Sequence, residues 1–390
     1  MLAFTFPGQG SQKSGMGSAW VDHPSWELVA EASAACGRDV EHLLLHADDE
    51  ELKATRNSQL ATFVLSLVVL DAIERTGVSP DVCAGHSLGE YSALTATGVI
   101  SFDDGVRLVA ERGEAMQVAA ESSTGTMAAV LGLDDDKVAA ACEAIDDEVW
   151  VANYNAPGQV VIAGSPAGVD AGGAACKEAG AKRAMALPVS GAFHTPFMDP
   201  AGERLKKALG GVEFRAPSVP VMANVDATAH TGGEEWRELL ERQLTSPVRW
   251  RQTLYNLDDM GVTRFVELGP GTVLTGMSKR TCRDSQSLSV STPADIDAVL
   301  QALDAGQSAR PADTGENLFV TERIVVTPAA GVFTPTETLA TGSTIRVGDL
   351  LGHVSGEPVH SPFDGSIMGV MAYEGERVVL RQPVAWLRTS

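Results

Sequence analysis

Gly85-His86-Ser87-Leu88-Gly89-Glu90-Tyr91 is the stretch that decides the fold, because it places one serine between two glycines where the secondary structure changes. The preceding residues 81–84 predict the end of a buried strand, and residues 88–96 predict a helix. The chain must therefore turn sharply at Ser87, where flanking glycines remove Cβ atoms that would clash. The pattern is typical of a nucleophile elbow, which presents the serine hydroxyl and points the Leu88 N–H at an oxyanion. The alternative is a glycine-rich turn with an incidental serine.

The composition is that of a globular protein, since 44% of the 390 residues are hydrophobic and 21% are charged. Five scattered cysteines without a C-x-x-C pair argue against a disulfide framework and against a structural zinc site. We therefore expect no metal and a reducing, cytoplasmic location. Neither a signal peptide nor an apolar run of about eighteen residues is present, so no membrane span is expected. A net charge of −22 disfavours nucleic acid and anionic membranes as partners.

Helices and strands alternate through residues 1–305, which predicts a mainly parallel, hydrolase-like α/β sheet covered on both faces. The first strand, Ala3 to Phe6, leads into a tight loop at residues 7–12, where such sheets present backbone to ligands. The alternative for this loop is a plain turn. Within residues 126–189 the order becomes β-α-β-β-α-β, which predicts an inserted ferredoxin-like subdomain. Such an insert can form one wall of a cleft whose other wall carries Ser87.

The composition changes after the α/β body. Residues 306–317 are rich in Gly, Pro, Ser and Asp and predict a linker. Residues 318–390 contain short strand patterns separated by turn residues, which predict a small all-β module. The fold class is therefore an α/β body with an insert, followed by a β module.

A serine hydroxyl needs a positioned base to act as a nucleophile, and the chain offers eight histidines. His86 adjoins the serine, but neighbouring side chains in a turn point apart. His194 lies in an apolar loop directly after the insert, which suits a partly desolvated imidazole, although a buried histidine is more often merely hydrogen-bonded. Arg112, in the middle of a predicted helix, would by residue type alone be a surface charge.

Six segments taken together resemble the malonyl-CoA:acyl carrier protein transacylases, and the resemblance covers about residues 1–303. They are, in chain order, residues 6–12 (FPGQGSQ), 85–91 (GHSLGEY), 111–113 (ERG), 153–164 (NYNAPGQVVIAG), 193–194 (FH) and 267–271 (ELGPG). The resemblance implies that Ser87 takes the malonyl group, that His194 is its base, and that the amides of Gln9 and Leu88 form the oxyanion hole.

The same resemblance assigns the remaining parts of the site. It implies that Arg112 pairs with the malonyl carboxylate, for which a planar fork of donors is the fitting partner. It places Asn155 among the substrate-binding residues, and it implies that a backbone carbonyl within residues 246–250 orients the histidine. The sequence Ala192-Phe193-His194 resembles malonyl-selective rather than methylmalonyl-selective relatives.

The function implied is ping-pong transfer of malonyl from malonyl-CoA to the phosphopantetheine thiol of holo acyl carrier protein, in fatty acid or polyketide synthesis, without a cofactor. The acidic carrier would meet a basic patch, for which the candidates are Lys279, Arg280, Arg283, Lys182 and Arg183. Two alternatives remain open. A serine hydrolase or thioesterase shares the elbow but has no use for Arg112. A non-catalytic scaffold would act through the β module.

Turns in the β module resemble those of biotinyl and lipoyl carrier domains over about residues 318–387. In those carriers a lysine on a hairpin tip attaches the cofactor, yet no lysine follows Lys279 and the tip would be Ser355-Gly356-Glu357-Pro358. We therefore expect neither biotin nor lipoate through the usual amide. The hypothesis is a carrier-like fold kept for docking or assembly, and the alternative is an inert solubilising domain. The body is expected to fold and react without it.

Overall fold

The computed structural model describes residues 1–189, 191–308, 322–379 and 382–388. The chain divides into two compact units, Met1–Ala309 and Arg310–Ser390. The helices of the first unit are α1 Glu27–Cys36, α2 Val40–Leu45, α3 Asp49–Lys53, α4 Thr55–Glu74, α5 Leu88–Ala96, α6 Phe102–Ser122, α7 Asp135–Glu143, α8 Pro166–Glu178, α9 Asp199–Gly210, α10 Trp236–Gln243, α11 Trp250–Asp259, α12 Val273–Thr281 and α13 Ala294–Ser308. Its strands are β1 Leu2–Phe6, β2 Val82–Gly85, β3 Thr126–Leu131, β4 Val149–Ala156, β5 Gln159–Gly164, β6 Arg183–Ala186, β7 Val221–Met222, β8 Ala229–His230, β9 Arg264–Leu268 and β10 Gln286–Val290.

The main sheet has the strand order β10-β9-β1-β2-β7-β8, and every neighbouring pair except β7–β8 is parallel. This confirms the predicted α/β body. The central strand β1 is buried along its whole length, as expected for a parallel strand covered by helices on both faces. Helix α4 is long and apolar enough to cross a membrane, but 89% of its apolar window is buried inside the protein. A core helix accounts for that composition.

The elbow forms as the sequence predicts, with β2 ending at Gly85 and α5 beginning at Leu88. Helix α5 approaches β1 so closely that a Cβ atom on Gly89 would lie 2.0 Å from the carbonyl oxygen of Phe6. Only glycine permits this approach. Ser87 itself has a φ of 53°, an uncommon conformation for a residue with a side chain.

The insert is an antiparallel sheet of order β4-β5-β3-β6 with helices α7 and α8, which is the arrangement predicted for a ferredoxin-like unit. Two details differ from the sequence pattern. The turn expected over residues 155–158 is confined to Pro157 and Gly158, because strand β4 continues to Ala156 and includes Asn155. The last strand, expected over residues 181–189, spans only Arg183–Ala186. Ser190, where the sequence pattern places the return to the body, lies outside the described residues.

Backbone hydrogen bonds tie the insert to the body at one point. The Tyr154 N–H donates to the Val248 carbonyl, and the Val248 N–H donates to the Ala152 carbonyl, each at 2.9 Å. Val248 follows α10 and precedes α11, so the edge of the insert is fixed to a segment of the body.

The predicted linker needs a correction at its start, because α13 continues to Ser308 and includes the first three residues of the segment 306–317. A glycine within a helix costs only about 1 kcal/mol, so Gly306 is a weak stop signal. The remainder of the predicted linker lies outside the described residues.

The second unit is all-β within its described residues. Its strands are β11 Glu322–Val326, β12 Gly331–Pro335, β13 Thr344–Ile345, β14 Leu350–Val354, β15 Glu357–His360, β16 Gly365–Val370, β17 Arg377–Val378 and β18 Pro383–Arg388. They form two four-stranded sheets of order β11-β18-β16-β13 and β15-β14-β12-β17, whose ladders are antiparallel. The sequence pattern predicts strands at residues 318–326, 343–346, 350–353, 366–371 and 378–380, and therefore misses β12, β15 and β18. Each of these three contains a proline, which weakens a strand pattern. The tip between β14 and β15 is Ser355 and Gly356, both with positive φ.

We expect Gly89→Ala to lower the thermal unfolding midpoint or to prevent folding, because the added Cβ would overlap the β1 backbone, at a cost of about 1 to 3 kcal/mol or more. The matched control is Gly276→Ala in α12, where nothing lies within 4 Å of an added Cβ. That change should raise the midpoint slightly, because alanine favours a helix by about 0.5 to 1 kcal/mol. Equal midpoints for the two variants would contradict the close approach.

Candidate active site

The site is centred on a serine that precedes the insert in the sequence and a histidine that follows it, which the fold brings together. Ser87 Oγ lies 2.7 Å from His194 Nε2, and His194 Nδ1 lies 2.9 Å from the backbone carbonyl of Gln243. A carbonyl only accepts, so Nδ1 carries a proton and Nε2 of the neutral ring is free to accept the serine proton. This is the geometry of a nucleophile and its base.

The carbonyl that orients His194 lies earlier in the chain than expected. The resemblance placed it within residues 246–250, whereas the 2.9 Å acceptor belongs to Gln243. Gln243 is the last residue of α10, and the final carbonyls of a helix have no partner within it. Its carbonyl is therefore available to the histidine. A hydrogen bond with the Ser246 carbonyl, inside the expected range, also acts to raise the pKa of His194.

His194 is in the protonation state that a base requires. Burial, followed by the nearby Arg112 charge, lowers the pKa of His194 to about 3, and the hydrogen bond to the Gln243 carbonyl opposes these effects only in part. The side chain is buried, with 4% of the residue exposed. The imidazole is therefore neutral at neutral pH and can take a proton from Ser87.

Arg112 is not a surface charge, although its place in the middle of α6 suggested one. It is 1% exposed, and its Nη1 and Nη2 donate to the side-chain oxygens of Gln59 at 2.6 Å and Gln243 at 2.9 Å. Nη2 also lies 3.2 Å from Ser87 Oγ. Each of these acceptors is neutral, and Nε has no partner among the described residues. A buried positive charge therefore stands beside the nucleophile without a carboxylate bonded to it.

The two expected oxyanion donors, Gln9 and Leu88, line the same cleft as Ser87. The loop that carries Gln9 lies against the elbow, since a Cβ on Gly8 would be 2.5 Å from the His86 carbonyl oxygen. Leu88 is the first residue of α5, so its N–H has no acceptor within the helix. Both residues therefore lie beside Ser87 in the cleft, and the Leu88 N–H is left without a helical acceptor.

Asn155 contacts the elbow through a hydrogen bond to the side chain of His86. Its Oδ1 accepts from His86 Nε2 at 2.8 Å, whereas the histidine bonded to Ser87 Oγ is His194, which agrees with the exclusion of His86 as the base. Burial lowers the pKa of His86. Because Asn155 also lines the cleft, its NH₂ group remains for a ligand.

A set of buried polar residues that the sequence motifs do not assign to the site holds the elbow in place. Asn224 Oδ1 accepts from the Ser87 N–H at 2.7 Å, and its Nδ2 donates to the Gly85 carbonyl at 2.7 Å. Gln243 Nε2 donates to the Ser87 carbonyl at 2.8 Å. Glu90 accepts from the Asn224 N–H and from Gln243 Nε2. The available signal for Asn224 was its place just after β7, at the carboxyl edge of the parallel sheet.

The cleft has a volume of about 680 Å³, and the insert forms one wall through residues such as Met127, Asn153 and Val161. None of the five predicted basic residues lines it, although all five are exposed. The basic side chains that do line it are Lys13, Lys53 and Arg112. Among the described residues, no group of three or more His, Cys, Asp or Glu side chains could hold a metal ion.

Comparison with known proteins agrees with this geometry. The sequence pattern of the acyl transferase domain family matches residues 3–299. The chain belongs to the acyl transferase domain family. It is 45% identical over 305 residues to the malonyl CoA-acyl carrier protein transacylase of Escherichia coli K12, covering 77% of this chain and 99% of that protein.

Other acyl transferases are comparably similar. The malonyl CoA-acyl carrier protein transacylase of Bacillus subtilis strain 168 is 42% identical over 307 residues, covering 77% of this chain and 97% of the relative. A solved malonyl-transacylase in complex with a type II PKS acyl-carrier protein superposes with a TM-score of 0.73 at 41% identity, covering 77% of this chain and 99% of that one. The family match lies within the first unit and does not reach the β module.

We expect acylation of Ser87 by an uncharged ester such as p-nitrophenyl acetate to show no inflection between about pH 5 and 7, where a free histidine titrates. The reason is that the lowered pKa of His194 keeps the imidazole neutral throughout this range. The rate is measured as ester cleavage, with circular dichroism at each pH to verify folding. An inflection near the ordinary histidine pKa would contradict the buried, neutral state.

Proposed function

We propose that the protein transfers the malonyl group from malonyl-CoA to the phosphopantetheine thiol of acyl carrier protein through a malonyl-serine intermediate. The observation that carries this proposal is Arg112, a buried guanidinium beside Ser87 whose bonded acceptors are all neutral. A fixed charge in that position suits an acyl group with its own carboxylate. The names of the family relatives support the same donor and acceptor.

The reaction proceeds in two similar halves. In the first, the Ser87 hydroxyl gives its proton to His194 Nε2 and attacks the thioester carbonyl of malonyl-CoA. The N–H groups of Gln9 and Leu88 hold the oxyanion, and as the C–S bond breaks the leaving CoA sulfur takes the proton from His194 and departs as the thiol. In the second half, the carrier thiol gives its proton to His194 and attacks the malonyl ester. Ser87 then leaves and recovers the proton.

The site favours transfer over the alternatives. A serine hydrolase with an uncharged acyl group gains nothing from a buried arginine, whose desolvation is costly unless an anion pairs with it. A purely structural scaffold has no need of a 2.7 Å contact between Ser87 and a neutral histidine. Location in the cytoplasm is part of the proposal, since both malonyl-CoA and the carrier would be found there.

For the carrier we propose docking over the exposed basic residues near the end of α12 and on the insert. Lys279 and Arg280 lie in the last turn of α12, and Lys182 and Arg183 lie on the insert. An acidic carrier would be drawn to these positive side chains on an otherwise acidic protein. The solved complex of a relative with its acyl-carrier protein supports a carrier as the partner.

For the β module we propose a docking or assembly role without a covalent cofactor. The tip of the β14–β15 hairpin carries Ser355 and Gly356 where a carrier domain would need a lysine. The enzyme reaction itself uses only side chains and backbone, so no cofactor is proposed for the body.

We expect Ser87→Ala to abolish both malonyl loading and transfer, a loss of about 10⁴-fold or more for one member of a nucleophile–base pair. Intact-mass spectrometry after incubation with malonyl-CoA measures the loading. The matched control is Ser92→Ala, a fully buried serine of helix α5, which directly follows the elbow; this variant should still acquire one malonyl group. Near wild-type carrier loading by Ser87→Ala would refute the proposed function.

We expect Arg112→Ala to reduce transfer from malonyl-CoA far more than from acetyl-CoA. Removing the guanidinium leaves the malonyl carboxylate unpaired in the cleft at a cost of roughly 2 to 5 kcal/mol, whereas an acetyl group loses no charge partner. The control is Arg107→Ala, an exposed arginine of α6 paired with Asp103 and Asp104. Comparable losses for the two donors would mean that Arg112 supports the structure and not the selectivity.

A further inference from the structure

Glu90 is a carboxyl group buried at the centre of the site that takes no part in the proposed reaction. It is 1% exposed and lies three residues after the nucleophile. One oxygen accepts from the Asn224 backbone N–H at 2.6 Å, and the other accepts from Gln243 Nε2 at 2.5 Å. Glu90 does not line the cleft, so it can act on the reaction through these hydrogen-bonded neighbours and through its charge interaction with Arg112.

Gln243 is the neighbour through which Glu90 reaches the substrate side of the site. Its Nε2 donates to both Glu90 and the Ser87 carbonyl, while its Oε1 accepts from Arg112 Nη2. Only one orientation of the Gln243 amide therefore satisfies all three of these hydrogen bonds. If the amide were flipped, its oxygen would face two acceptors and its NH₂ would face the guanidinium, which also only donates.

We propose that Glu90 is a positioning residue for acyl selectivity. It accepts from the Gln243 NH₂ group and so fixes the orientation of that amide, whose neutral oxygen in turn accepts from Arg112. The arrangement orients the guanidinium without a carboxylate hydrogen-bonded to it, and leaves that direct contact for the carboxylate of the acyl group. A carboxylate in direct contact with Arg112 would orient it equally well but would compete with that acyl carboxylate. Because Glu90 is hydrogen-bonded to Gln243 and not to Arg112 itself, it avoids this competition.

The proposal rests on malonyl transfer as proposed above, and it further requires that Glu90 act as a carboxylate that accepts through both oxygens. A carboxamide at position 90 accepts through one oxygen only, so its NH₂ must face either the Asn224 N–H or the Gln243 NH₂. Either contact places donor against donor and releases the fixed orientation of Gln243. Donors with an acyl carboxylate should then suffer more than donors without one.

The experiment compares kcat/KM for malonyl-CoA and acetyl-CoA in wild type, Glu90→Gln, Gln243→Met and the double variant. We expect the malonyl-to-acetyl ratio to fall about tenfold or more in each single variant, the change that corresponds to about 1.4 kcal/mol. The double variant should show no further fall, because Glu90 acts through Gln243. The matched control is Glu267→Gln, another carboxylate that is 1% exposed, which accepts from the backbone of α12 and should leave the ratio unchanged.

The possible results separate this inference from the proposed function. If wild type shows no preference for malonyl-CoA, the proposed function fails. If wild type prefers malonyl-CoA but the ratio is unchanged in Glu90→Gln, or if the two single effects multiply, the positioning role is overturned. Should Glu90→Gln not fold, Gln243→Met decides the matter, since an unchanged ratio in that variant removes the only route by which Glu90 is proposed to act.

Discussion

The structure depends on one sharp backbone turn, at Ser87 between β2 and α5. Its geometry is unfavourable for a serine, whose φ is 53°, and it persists because the surroundings hold it from both sides. Asn224 accepts from the Ser87 N–H and Gln243 donates to the Ser87 carbonyl. The close approach of Gly89 to β1 fixes the start of the helix against the sheet. The reactive hydroxyl is thus positioned by the fold before any substrate arrives.

A second constraint is electrostatic, because the site buries one permanent charge. Desolvation lowers the pKa of Arg112 and raises that of Glu90, since burial penalises the charged form of each group. For Glu90 the hydrogen bonds from Asn224 and Gln243 and the charge of Arg112 act in the opposite direction and favour the carboxylate. The same guanidinium helps to keep His194 neutral. One buried cation thereby serves two purposes in the proposed reaction. It offers a partner to the acyl carboxylate, and it keeps the base unprotonated.

The segment that begins at Gln243 links these constraints to the insert. Gln243 supplies the carbonyl that orients His194 and the amide that contacts Arg112 and Glu90. Five residues later, Val248 exchanges backbone hydrogen bonds with the edge strand of the insert. The wall of the cleft and the orientation of the base are therefore set by one short stretch of chain.

The sequence by itself determined the elements whose cause is local. Glycines around Ser87 demand a sharp turn, alternating helices and strands demand a parallel sheet, and the β-α-β-β-α-β order of the insert follows from periodicity and turns. The order of the motifs also predicted Ser87, His194 and Arg112 as site residues. Local patterns were less informative where proline interrupts a strand, as in β12, β15 and β18.

Only the tertiary structure decided which partners complete the site. Asn224, Gln243 and Gln59 come from three elements distant in sequence, and each is a residue type that is usually exposed and carries no pattern of its own. Their roles arise because a buried donor or acceptor must find a partner, and that partner is whichever group the folded chain brings within about 3 Å. For the same reason the carbonyl that orients His194 proved to be that of Gln243. Its availability depends on where α10 ends, which packing decides and local sequence does not.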